Sequence, residues 1–426
     1  MRKLRILILV LVVGAITGYG GFLVGRRELQ LQFKNYRPAV VMNKVPILTG
    51  KKVEVDFSLF WTVWDKLASQ YVDKSALDPQ KMVDGAISGM VASLGDPYTV
   101  FLPPKENKDA KQDLNGSFEG VGIQLGFKDL PAGRQALAVM SPVEGTPAFK
   151  AGVKAGDLIL RIKDAKLNVD KTTEGMTIPE AVNVIRGPKG TPVTLTFLRG
   201  SKPEPFDVTL VRDTIIVKSA TVEFIDEPGL PVGRQVAHLK LNRFGDRTQE
   251  EWTDAVSKIY DQGSKIKGIV LDLRNNPGGY LDEAVYLAGE FLPAGRLVVS
   301  QQYGDGTKVD LKVNRTGQLV KPKLVVVVNE GSASAAEILA GALQDNHRAK
   351  IVGVKTFGKG SVQQPDDFPN GAGIHITIAK WLLPSGRWID KLGITPDIEI
   401  KVDDTATSSS QLETDNQLQK AIELLK

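Results

Sequence analysis

In the second half of the chain, short apolar runs alternate with segments in which apolar residues recur at helical spacing. Between residues 214 and 402, strands are predicted at 238–244, 268–273, 297–302 and 324–328 and around Ile351 and Ile374, and helices at 248–261, at 282–291 and after Ser334. Thr248 and Glu251 have the spacing of a capping box at the start of the first helix. Strands that alternate with helices are typical of a layered α/β domain, which we predict for residues 214–402.

A different pattern occupies residues 111–213. Glycine-rich turns separate short strand-like runs, and apolar and polar side chains alternate at 193–197 in the last of them. Thr177 and Glu180 have the spacing of a capping box, which predicts one short helix. We therefore predict a small β-rich module here.

Residues 56–110 show helical periodicity in two stretches. Apolar side chains fall on one face of each predicted helix: Phe60, Trp64, Leu67 and Tyr71 in the first, and Val83, Ile87, Met90 and Leu94 in the second, which begins at Pro79. The two stripes predict either core packing or a contact between two copies of the chain.

The last segment, residues 403–426, combines a polar linker with a final amphipathic helix. Its apolar positions are Leu412, Leu418, Ile422 and Leu425. We predict that this helix serves assembly, as part of a homodimer.

The first 27 residues are predicted to anchor the chain in a membrane. Residues 6–25 are 20 consecutive residues without a charge, which is just long enough to span a bilayer, and Arg26 and Arg27 close the segment. We predict a single-pass anchor at 1–27, a linker at 28–55 and a remainder outside the cytoplasm, either periplasmic or extracellular. The alternative is a removed signal peptide, which usually has a shorter apolar region and a small-residue cleavage site.

Composition narrows the function classes. At 426 residues the chain is long enough for two or three domains, and its net charge of +5 comes without a dense basic block, so we predict no nucleic-acid partner. The absence of cysteine excludes disulfides, thiol catalysis and cysteine-type zinc sites. The three histidines, His238, His347 and His375, form no metal-binding motif, so we predict neither a metal nor another cofactor.

The segment at residues 329–363 carries the candidate nucleophile and base. Ser332 and Ser334 lie in the turn between a predicted buried strand and a predicted helix, where a serine hydroxyl is exposed beside free backbone N–H groups. Lys359 follows Ser334 by 25 residues and lies between two glycines. A lysine activates a serine only when apolar surroundings keep it neutral. We predict that Ser334 is the nucleophile, that Lys359 is the general base and that Gln363 holds the amine through its amide oxygen.

Other roles remain open for these residue types. A serine at a helix start is more often a cap than a nucleophile, and Ser332 is a good candidate for a cap. A lysine in a loop is usually solvated. His347 would be the ordinary base, but a helix that begins at Ser334 places it roughly 20 Å away. Distance does not exclude His238 or His375.

Acyl transfer also needs donors for an oxyanion. The Ala335 N–H lies at the predicted helix start, where unpaired donors and the helix dipole favour negative charge. Gly278 or Gly279 can supply a second N–H, because a glycine turn after a central strand lets backbone approach a substrate. We predict an oxyanion site formed by Ala335 and this turn.

Five motifs occur in a fixed order along the chain. They are G-D-P-Y-T from residue 95, D-L-R-N-N-P-G-G from 272, N-E-G-S-A-S-A-A-E-I from 329, T-F-G-K-G-S-V-Q from 356 and G-I-T-P-D from 393. Together they resemble the carboxy-terminal processing peptidases, also called tail-specific proteases, and the resemblance covers nearly the whole chain after the linker. It implies a ClpP/crotonase-like serine-protease core.

The family's roles fall on the residues already singled out. The resemblance implies that Ser334 is the nucleophile, Lys359 the base and Gln363 the residue that orients the lysine, and that Ala335 and the Gly278–Gly279 turn hold the oxyanion. No catalytic position departs from the family pattern.

The β-rich module at 111–213 resembles the PDZ domain that this family carries. PDZ domains bind a C-terminal carboxylate on backbone N–H groups and add the peptide as a strand. The resemblance implies that Gly120, Val121, Gly122 and Ile123 form the carboxylate loop. It also implies that the module covers the active site until a substrate binds and that Arg186 touches the protease core.

The sequence therefore predicts a multidomain α/β protein with a membrane anchor, a helical segment, a PDZ domain and a protease core. We predict a membrane-anchored, extracytoplasmic serine endopeptidase with a Ser-Lys dyad, acting on proteins whose exposed, apolar C-termini the PDZ domain captures. The alternatives are a non-catalytic PDZ scaffold and a Ser-His hydrolase of small esters.

Overall fold

The computed structural model describes most of the chain from residue 56 onward. The described residues are 14–15, 17–19, 29–34, 37–42, 47–48, 51–52, 56–130, 134–143, 145–166, 168–200, 204–226, 233–401 and 415–426. The anchor predicted at 1–27 and the polar linker predicted from 403 lie almost wholly outside them. Within the described ranges, no helix has the length and apolar character needed to cross a membrane. The chain divides into two compact units, Met1–Val83 and Asp84–Lys426.

Two short hairpins lie in the first unit, between residues 29 and 52. Strands β1 (Leu29–Lys34) and β2 (Arg37–Met42) pair antiparallel, as do β3 (Ile47–Leu48) and β4 (Lys51–Lys52). This differs from the linker predicted at 28–55. Apolar and glutamine side chains alternate along β1, and such alternation favours a strand.

Helix α1 (Ser58–Gln70) follows the hairpins and buries none of its side chains in the described structure. Its apolar stripe is exposed, with Phe60 at 38% and Leu67 at 42% of their accessible surface. The prediction that this stripe packs in a core is therefore wrong. A contact between two copies of the chain stays a prediction.

Helix α2 (Pro79–Ala92) crosses the boundary between the two units. Within the second unit, Ile87 and Val91 pack against Phe101. Met90 and Leu94, which were predicted on the buried face, are exposed. Core packing of these two positions is wrong, because strand β5 (Val100–Leu102) brings Phe101 to the side that carries Val91. A contact between two copies of the chain stays a prediction for them. Helix α3 (Pro104–Leu114) comes next.

Residues 117–216 form a small β-rich module with its own core. Its main sheet has the order β12 (Phe206–Val211), β11 (Pro192–Leu198), β9 (Leu158–Asp164), β8 (Arg134–Pro142) and β7 (Ile123–Leu130), with β10 (Val169–Thr172) paired to β9. Helices α4 (Pro147–Lys150) and α5 (Ile178–Ile185) complete it. The predicted capping box between Thr177 and Glu180 at the start of α5 is confirmed.

The strands that enter and leave this module pair with each other. They are β6 (Ser117–Gly120) and β13 (Asp213–Ile216), in antiparallel register. The module is thus joined to the rest of the second unit through a two-stranded ladder.

A six-stranded sheet lies at the centre of the C-terminal region. Its order is β14 (Ala220–Asp226), β15 (Gln235–Leu241), β16 (Ile266–Asp272), β19 (Lys323–Val328), β20 (Lys350–Gly353) and β23 (Ile398–Glu399). Only the edge strand β14 pairs antiparallel. Helices α6 (Thr248–Gln262), α7 (Leu281–Phe291) and α8 (Ala335–Asp345) share a core with one face of this sheet.

Strand β19 is buried on both faces. Leu324, Val326 and Val328 face the three helices, whereas Val325 and Val327 belong to the core on the opposite face. A strand covered on both sides has no solvent-facing positions, which explains its uninterrupted apolar run. The α/β layering predicted for this region is confirmed.

A second, antiparallel sheet accompanies the first. Its order is β18 (Lys308–Lys312), β17 (Leu297–Tyr303), β22 (Gly373–Leu382) and β21 (Ser361–Asp367), and β5 pairs with the start of β22. Through β5, this sheet holds the segment that follows α2.

Helix α9 (Asn416–Glu423) covers the opposite face of the central sheet. Leu418, Ile422 and Leu425 are buried there against Val325. The predicted role of this helix in assembly is therefore corrected, because its apolar face is already used inside the chain. Leu412 lies outside the described residues.

Thr248 and Glu251 do not form the predicted capping box. Arg247 occupies the N-cap position of α6. The Thr248 hydroxyl accepts from the Gly245 N–H at 2.8 Å, and the Glu251 carboxylate accepts from the Ser219 N–H. Thr248 thus bonds to the preceding turn and Glu251 to a segment distant in sequence, in place of the predicted cap.

Candidate active site

The turn between β19 and α8 presents Ser334. Its backbone has φ 54° and ψ −117°, a conformation that residues with a side chain rarely adopt. The side chain is half-buried, and helix α8 begins at the next residue. A strained serine between a strand and a helix is the geometry that exposes a nucleophilic hydroxyl at the end of a sheet.

Ser332 supports this turn from inside. It is fully buried, and its hydroxyl donates to the Leu273 carbonyl at 2.8 Å and accepts from the Asn329 N–H at 3.0 Å. Its role as the helix cap, one alternative open at the sequence level, is wrong, since Ser334 occupies the N-cap position. Ser332 instead ties the turn to the end of the neighbouring strand β16.

The Glu337 carboxylate joins the serine turn to the lysine loop. It is fully buried, and one of its oxygens, Oε2, accepts from the N–H groups of both Ser334 and Lys359 at 2.9 Å. The other oxygen accepts from the Gly358 N–H at 2.7 Å and from the Thr356 hydroxyl. One carboxylate therefore holds the backbones of the candidate nucleophile and the candidate base beside each other.

Burial raises the pKa of Glu337, and hydrogen bonds from Thr356, Lys359, Gly358 and Ser334 oppose that change. All four partners donate to it, two at each oxygen, and none of them offers an acceptor for a carboxyl proton. The arrangement of donors thus fits the ionised form.

The Lys359 side chain points over an aromatic ring in this structure. Its Nζ lies 5.1 Å from the centroid of the Tyr98 ring. Among the described residues, no hydrogen bond joins Lys359 Nζ to Ser334 Oγ. Burial lowers the pKa of Lys359, while the negative charges of Asp96 and Glu337 partly oppose that change.

Gln363 lies on β21, close to the loop that carries Lys359. Its Nε2 donates to the Ser361 hydroxyl at 2.9 Å and to the Thr377 hydroxyl at 3.2 Å. These two bonds fix the amide nitrogen toward Ser361 and Thr377. The predicted bond from Lys359 to the amide oxygen is not formed in the described structure. The side chain is thus oriented, with its oxygen left to accept.

The glycine turn after β16 lies against the serine. A Cβ atom placed on Gly278 would lie 2.8 Å from Ser334 Cβ and 2.9 Å from the Ala335 nitrogen. The Gly278 N–H, however, donates to Asn276 Oδ1 at 2.9 Å. Asn276 is itself fixed by donating to the Leu241 carbonyl at 2.8 Å. The close approach predicted for this turn is present, but the Gly278 N–H is already used.

Gly279 and Ala335 retain N–H groups that donate to no acceptor in the described part of the chain. Gly279 has φ 137°, and a Cβ there would lie 1.9 Å from the Phe244 carbonyl oxygen, so glycine is required. Ala335 is the first residue of α8, where a free N–H is expected. Of the two predicted glycine donors, the structure leaves Gly279.

The histidines have other surroundings. His238 Nε2 lies 3.0 Å from Asp272 Oδ2, and Asp272 also pairs with Arg274. His347 follows the C-terminal end of α8, as the helix length requires, and His375 lies on β22. In the described residues, none of the three forms a hydrogen bond with Ser334.

The predicted carboxylate loop borders a small groove in the β-rich module. Gly120, Val121, Gly122 and Ile123 line a cavity of about 70 Å³ together with Phe118, Leu125, Val182, Ile185 and Arg186. Gly122 has φ 79°, and a Cβ there would lie 2.3 Å from Thr146. The loop thus requires glycine and lies beside an apolar groove between β7 and α5.

Arg186 lies at the edge of this groove. Its guanidinium carbon is 4.4 Å from the centroid of the Phe118 ring, and its Nη1 is 3.6 Å from Asp113 Oδ1 on α3. The ion-pair partner of Arg186 thus lies on α3, and α3 is outside the segment 214–402 that was predicted to form the protease core.

Sequence reasoning missed several residues that shape the site. Glu337 follows Ser334 by three residues, the spacing of a capping box, and that signal was available locally. Asn276 belongs to the D-L-R-N-N-P-G-G motif, in which only the glycines were singled out. Asp96 and Tyr98 belong to a turn that is far from Lys359 in the sequence.

Three segments of the chain match known protein families. Residues 235–400 match Peptidase family S41, residues 120–210 match the PDZ domain, and residues 11–106 match the activating protease CtpB N-terminal domain. The first two coincide with the α/β region and with the β-rich module.

Individual relatives are similar over most of their length. The chain is 36% identical to the carboxy-terminal processing protease CtpA of Bacillus subtilis over 392 residues, which are 89% of this chain and 79% of that protein. It is 38% identical over 347 residues to a carboxy-terminal-processing protease of Bartonella bacilliformis, covering 80% and 74% of the two chains. Among solved structures, a photosystem II D1 C-terminal processing protease has a TM-score of 0.50 and 29% identity, covering 84% of this chain and 95% of that one.

Proposed function

Because this chain belongs to peptidase family S41 and is a serine-type carboxy-terminal processing protease, we propose that Ser334 and Lys359 form its catalytic dyad. The observation that carries the proposal is the carboxylate of Glu337, which binds the N–H groups of both residues through one oxygen. The two residues are thereby neighbours, although their sequence positions are 25 apart. Replacement of either residue tests the dyad, and the expected losses open the Discussion.

The proposed reaction begins with a neutral Lys359. Its amine takes the proton of the Ser334 hydroxyl while Oγ attacks the peptide carbonyl carbon. The N–H groups of Ala335 and Gly279 donate to the oxyanion that forms. The lysine ammonium then protonates the leaving amine, the peptide bond breaks, and water releases the acyl group by the same steps.

The surroundings of Lys359 suit this role. Burial lowers its pKa, so a larger fraction is neutral near neutral pH than for a solvated lysine. The sign follows directly: activity needs the neutral amine, so activity is present above the pKa of Lys359 and is lost as the pH falls through it. Gln363 is placed to hold the amine in this state, because its amide oxygen accepts no hydrogen bond from the residues that the structure describes.

The β-rich module is proposed to capture the substrate's C-terminus. The groove beside Gly120–Ile123 is apolar, and the loop's backbone is the part of a PDZ domain that binds a carboxylate. A cavity of about 70 Å³ admits a small apolar side chain at the last position of the substrate.

Cleavage should therefore depend on a free C-terminal carboxylate. Of two unfolded protein substrates that differ only in having a carboxylate or a carboxamide at the C-terminus, the amide should be cleaved roughly tenfold more slowly at low concentration, since it loses a charge-assisted interaction. Measuring kcat/KM for both substrates checks this. Equal values for the wild-type chain would contradict capture of the C-terminus.

A matched pair of variants locates the effect. Val182 lines the groove and its neighbour Asn183 is exposed outside it. Val182→Glu should remove the preference for the carboxylate, and Asn183→Glu should retain it.

We also propose that residues 1–27 anchor the enzyme in a membrane, with the catalytic part outside the cytoplasm. The support is the 20-residue uncharged stretch at 6–25, flanked by basic residues. The full chain should sediment with membranes after an alkaline wash, and a chain lacking residues 1–27 should not. Recovery of the full chain in the soluble fraction would contradict the anchor.

A further inference from the structure

The turn at Gly95–Thr99 lies against the candidate base, although it is far from it in sequence. Its Tyr98 is half-buried, and the ring centroid is 5.1 Å from Lys359 Nζ. An ammonium within about 6 Å of an aromatic face is attracted by the ring. In this structure the amine thus has a partner other than Ser334.

Asp96 places a negative charge in the same turn. Its carboxylate accepts from the Tyr98 N–H at 3.0 Å and from the Thr99 hydroxyl at 2.7 Å, and these two bonds stabilise the turn. Burial opposes ionisation of Asp96, but hydrogen bonds from Thr377, Thr99 and Tyr98 hold its pKa below the ordinary value. Asp96 is thus a carboxylate, and its charge acts on Lys359.

The turn also reaches Gln363. The Thr377 N–H donates to the Thr99 hydroxyl at 3.0 Å, and Gln363 Nε2 donates to the Thr377 hydroxyl at 3.2 Å. Thr377 therefore connects the Asp96 turn with the amide that is placed to receive the lysine. The same turn thus contacts the amine through Tyr98 and is linked to the amide of Gln363 through Thr377.

The other charged and titratable groups around Lys359 come from three further elements. Glu337 on α8 attracts it, as Asp96 does. His375 on β22 is half-buried, which lowers its pKa, and the charge of Lys359 lowers that pKa further. Burial raises the pKa of the Tyr98 hydroxyl, and the negative charges of Asp390 and Glu337 raise it further. Asp390 accepts a hydrogen bond from the Gly360 N–H at 3.2 Å. The Tyr98 ring therefore stays neutral, as a cation-binding ring.

We propose that Tyr98 and Asp96 are positioning residues that hold the Lys359 ammonium apart from Ser334 in the resting enzyme. The amine leaves the ring when it loses its proton, because a neutral amine is no longer attracted by the aromatic face or by Asp96. It then becomes available to Gln363 and Ser334. The proposal rests on Lys359 being the base. It adds a cost to deprotonating Lys359, because the ring and Asp96 stabilise the ammonium and catalysis needs the neutral amine.

The test measures the titration of Lys359 without using activity. Full-length chain carrying Ser334→Ala is labelled with acetic anhydride across a pH series, and acetylation of each lysine is read by mass spectrometry. Tyr98→Met removes the ring, and Asp96→Asn removes the charge while keeping the turn's acceptor. Each change should move the midpoint of the Lys359 acetylation curve to lower pH. At a fixed pH below that midpoint, the neutral fraction of Lys359 should rise roughly two- to fivefold over Ser334→Ala alone.

The control is Tyr98→Phe, which keeps the ring and should leave the Lys359 midpoint where it is in Ser334→Ala alone. An unchanged or higher midpoint in Tyr98→Met and Asp96→Asn would overturn the proposal. In chains that retain Ser334, the acid limb of kcat/KM should move in the same direction as the labelling midpoint. Retained activity of Lys359→Ala would instead overturn the dyad, and it would leave the labelling result intact, so the two failures are distinguishable.

Discussion

Ser334→Ala should lower kcat for an unfolded protein substrate by about four orders of magnitude or more, because no acyl-enzyme forms without the hydroxyl. Lys359→Ala should cause a loss of similar size, since the serine then has no group to take its proton. The measurement is single-turnover cleavage of an unfolded protein with an apolar C-terminus. Cleavage that survives either change at near wild-type rate would show that the dyad is wrong.

Ser332→Ala is the matched control for the nucleophile. Ser332 is buried and its hydroxyl makes two hydrogen bonds, so its loss should cost roughly 1–3 kcal/mol of stability. At a temperature where the variant is folded, kcat should stay within a few-fold of wild type. Inactivity of folded Ser332→Ala, with activity in Ser334→Ala, would reverse the assignment of the two serines.

The histidines separate this mechanism from a Ser-His hydrolase. His238, His347 and His375 form no hydrogen bond with Ser334 in the described residues. Replacing each of them in turn should leave cleavage measurable, whereas a Ser-His enzyme would lose activity with one of them.

Glu337→Gln should be the most damaging change outside the dyad. The buried carboxylate accepts from Ser334, Gly358, Lys359 and Thr356, and an amide would turn an N–H₂ group toward donors. We expect a loss of roughly 3–5 kcal/mol in the free energy of unfolding and a drop of at least about 10²-fold in kcat. Chemical denaturation and kinetics on the folded fraction measure the two effects separately.

Glu330→Gln is the control for this change. Glu330 lies in the same turn and is exposed, so the same chemical change there should leave both stability and kcat close to wild type. A Glu337→Gln variant that matches Glu330→Gln in both measurements would refute the shared carboxylate as the element that joins serine and lysine.

Much of the architecture was accessible from local pattern. Strand β19 is apolar from Leu324 to Val328 because helices cover one face of the sheet and α9 covers the other, and such a run predicts a buried strand directly. The capping box at Thr177 was predicted correctly, because both of its partners lie within one helical turn. The box at Thr248 failed because Ser219 and Gly245 compete successfully for the same side chains.

Faces of helices were harder to predict than the helices themselves. The periodicity of α2 is compatible with more than one buried face, and Phe101 selects the one that carries Val91. The apolar face of α9 gave no indication whether it would be covered by a second chain or by the chain's own sheet. Such choices depend on which surface is nearby after folding, and periodicity carries no such information.

By itself, the sequence determined which residues are the candidates for the proposed chemistry: a serine at a strand–helix turn, a lysine between glycines and a glycine turn, each recognisable from its immediate neighbours. Only the tertiary structure decided how they are held. Glu337 binds the serine and lysine backbones together, Asn276 takes the Gly278 N–H and leaves that of Gly279, and Tyr98 receives the lysine side chain. The physical reason is that hydrogen bonds and ring contacts act over a few ångströms, whereas their partners here come from segments that only folding brings together.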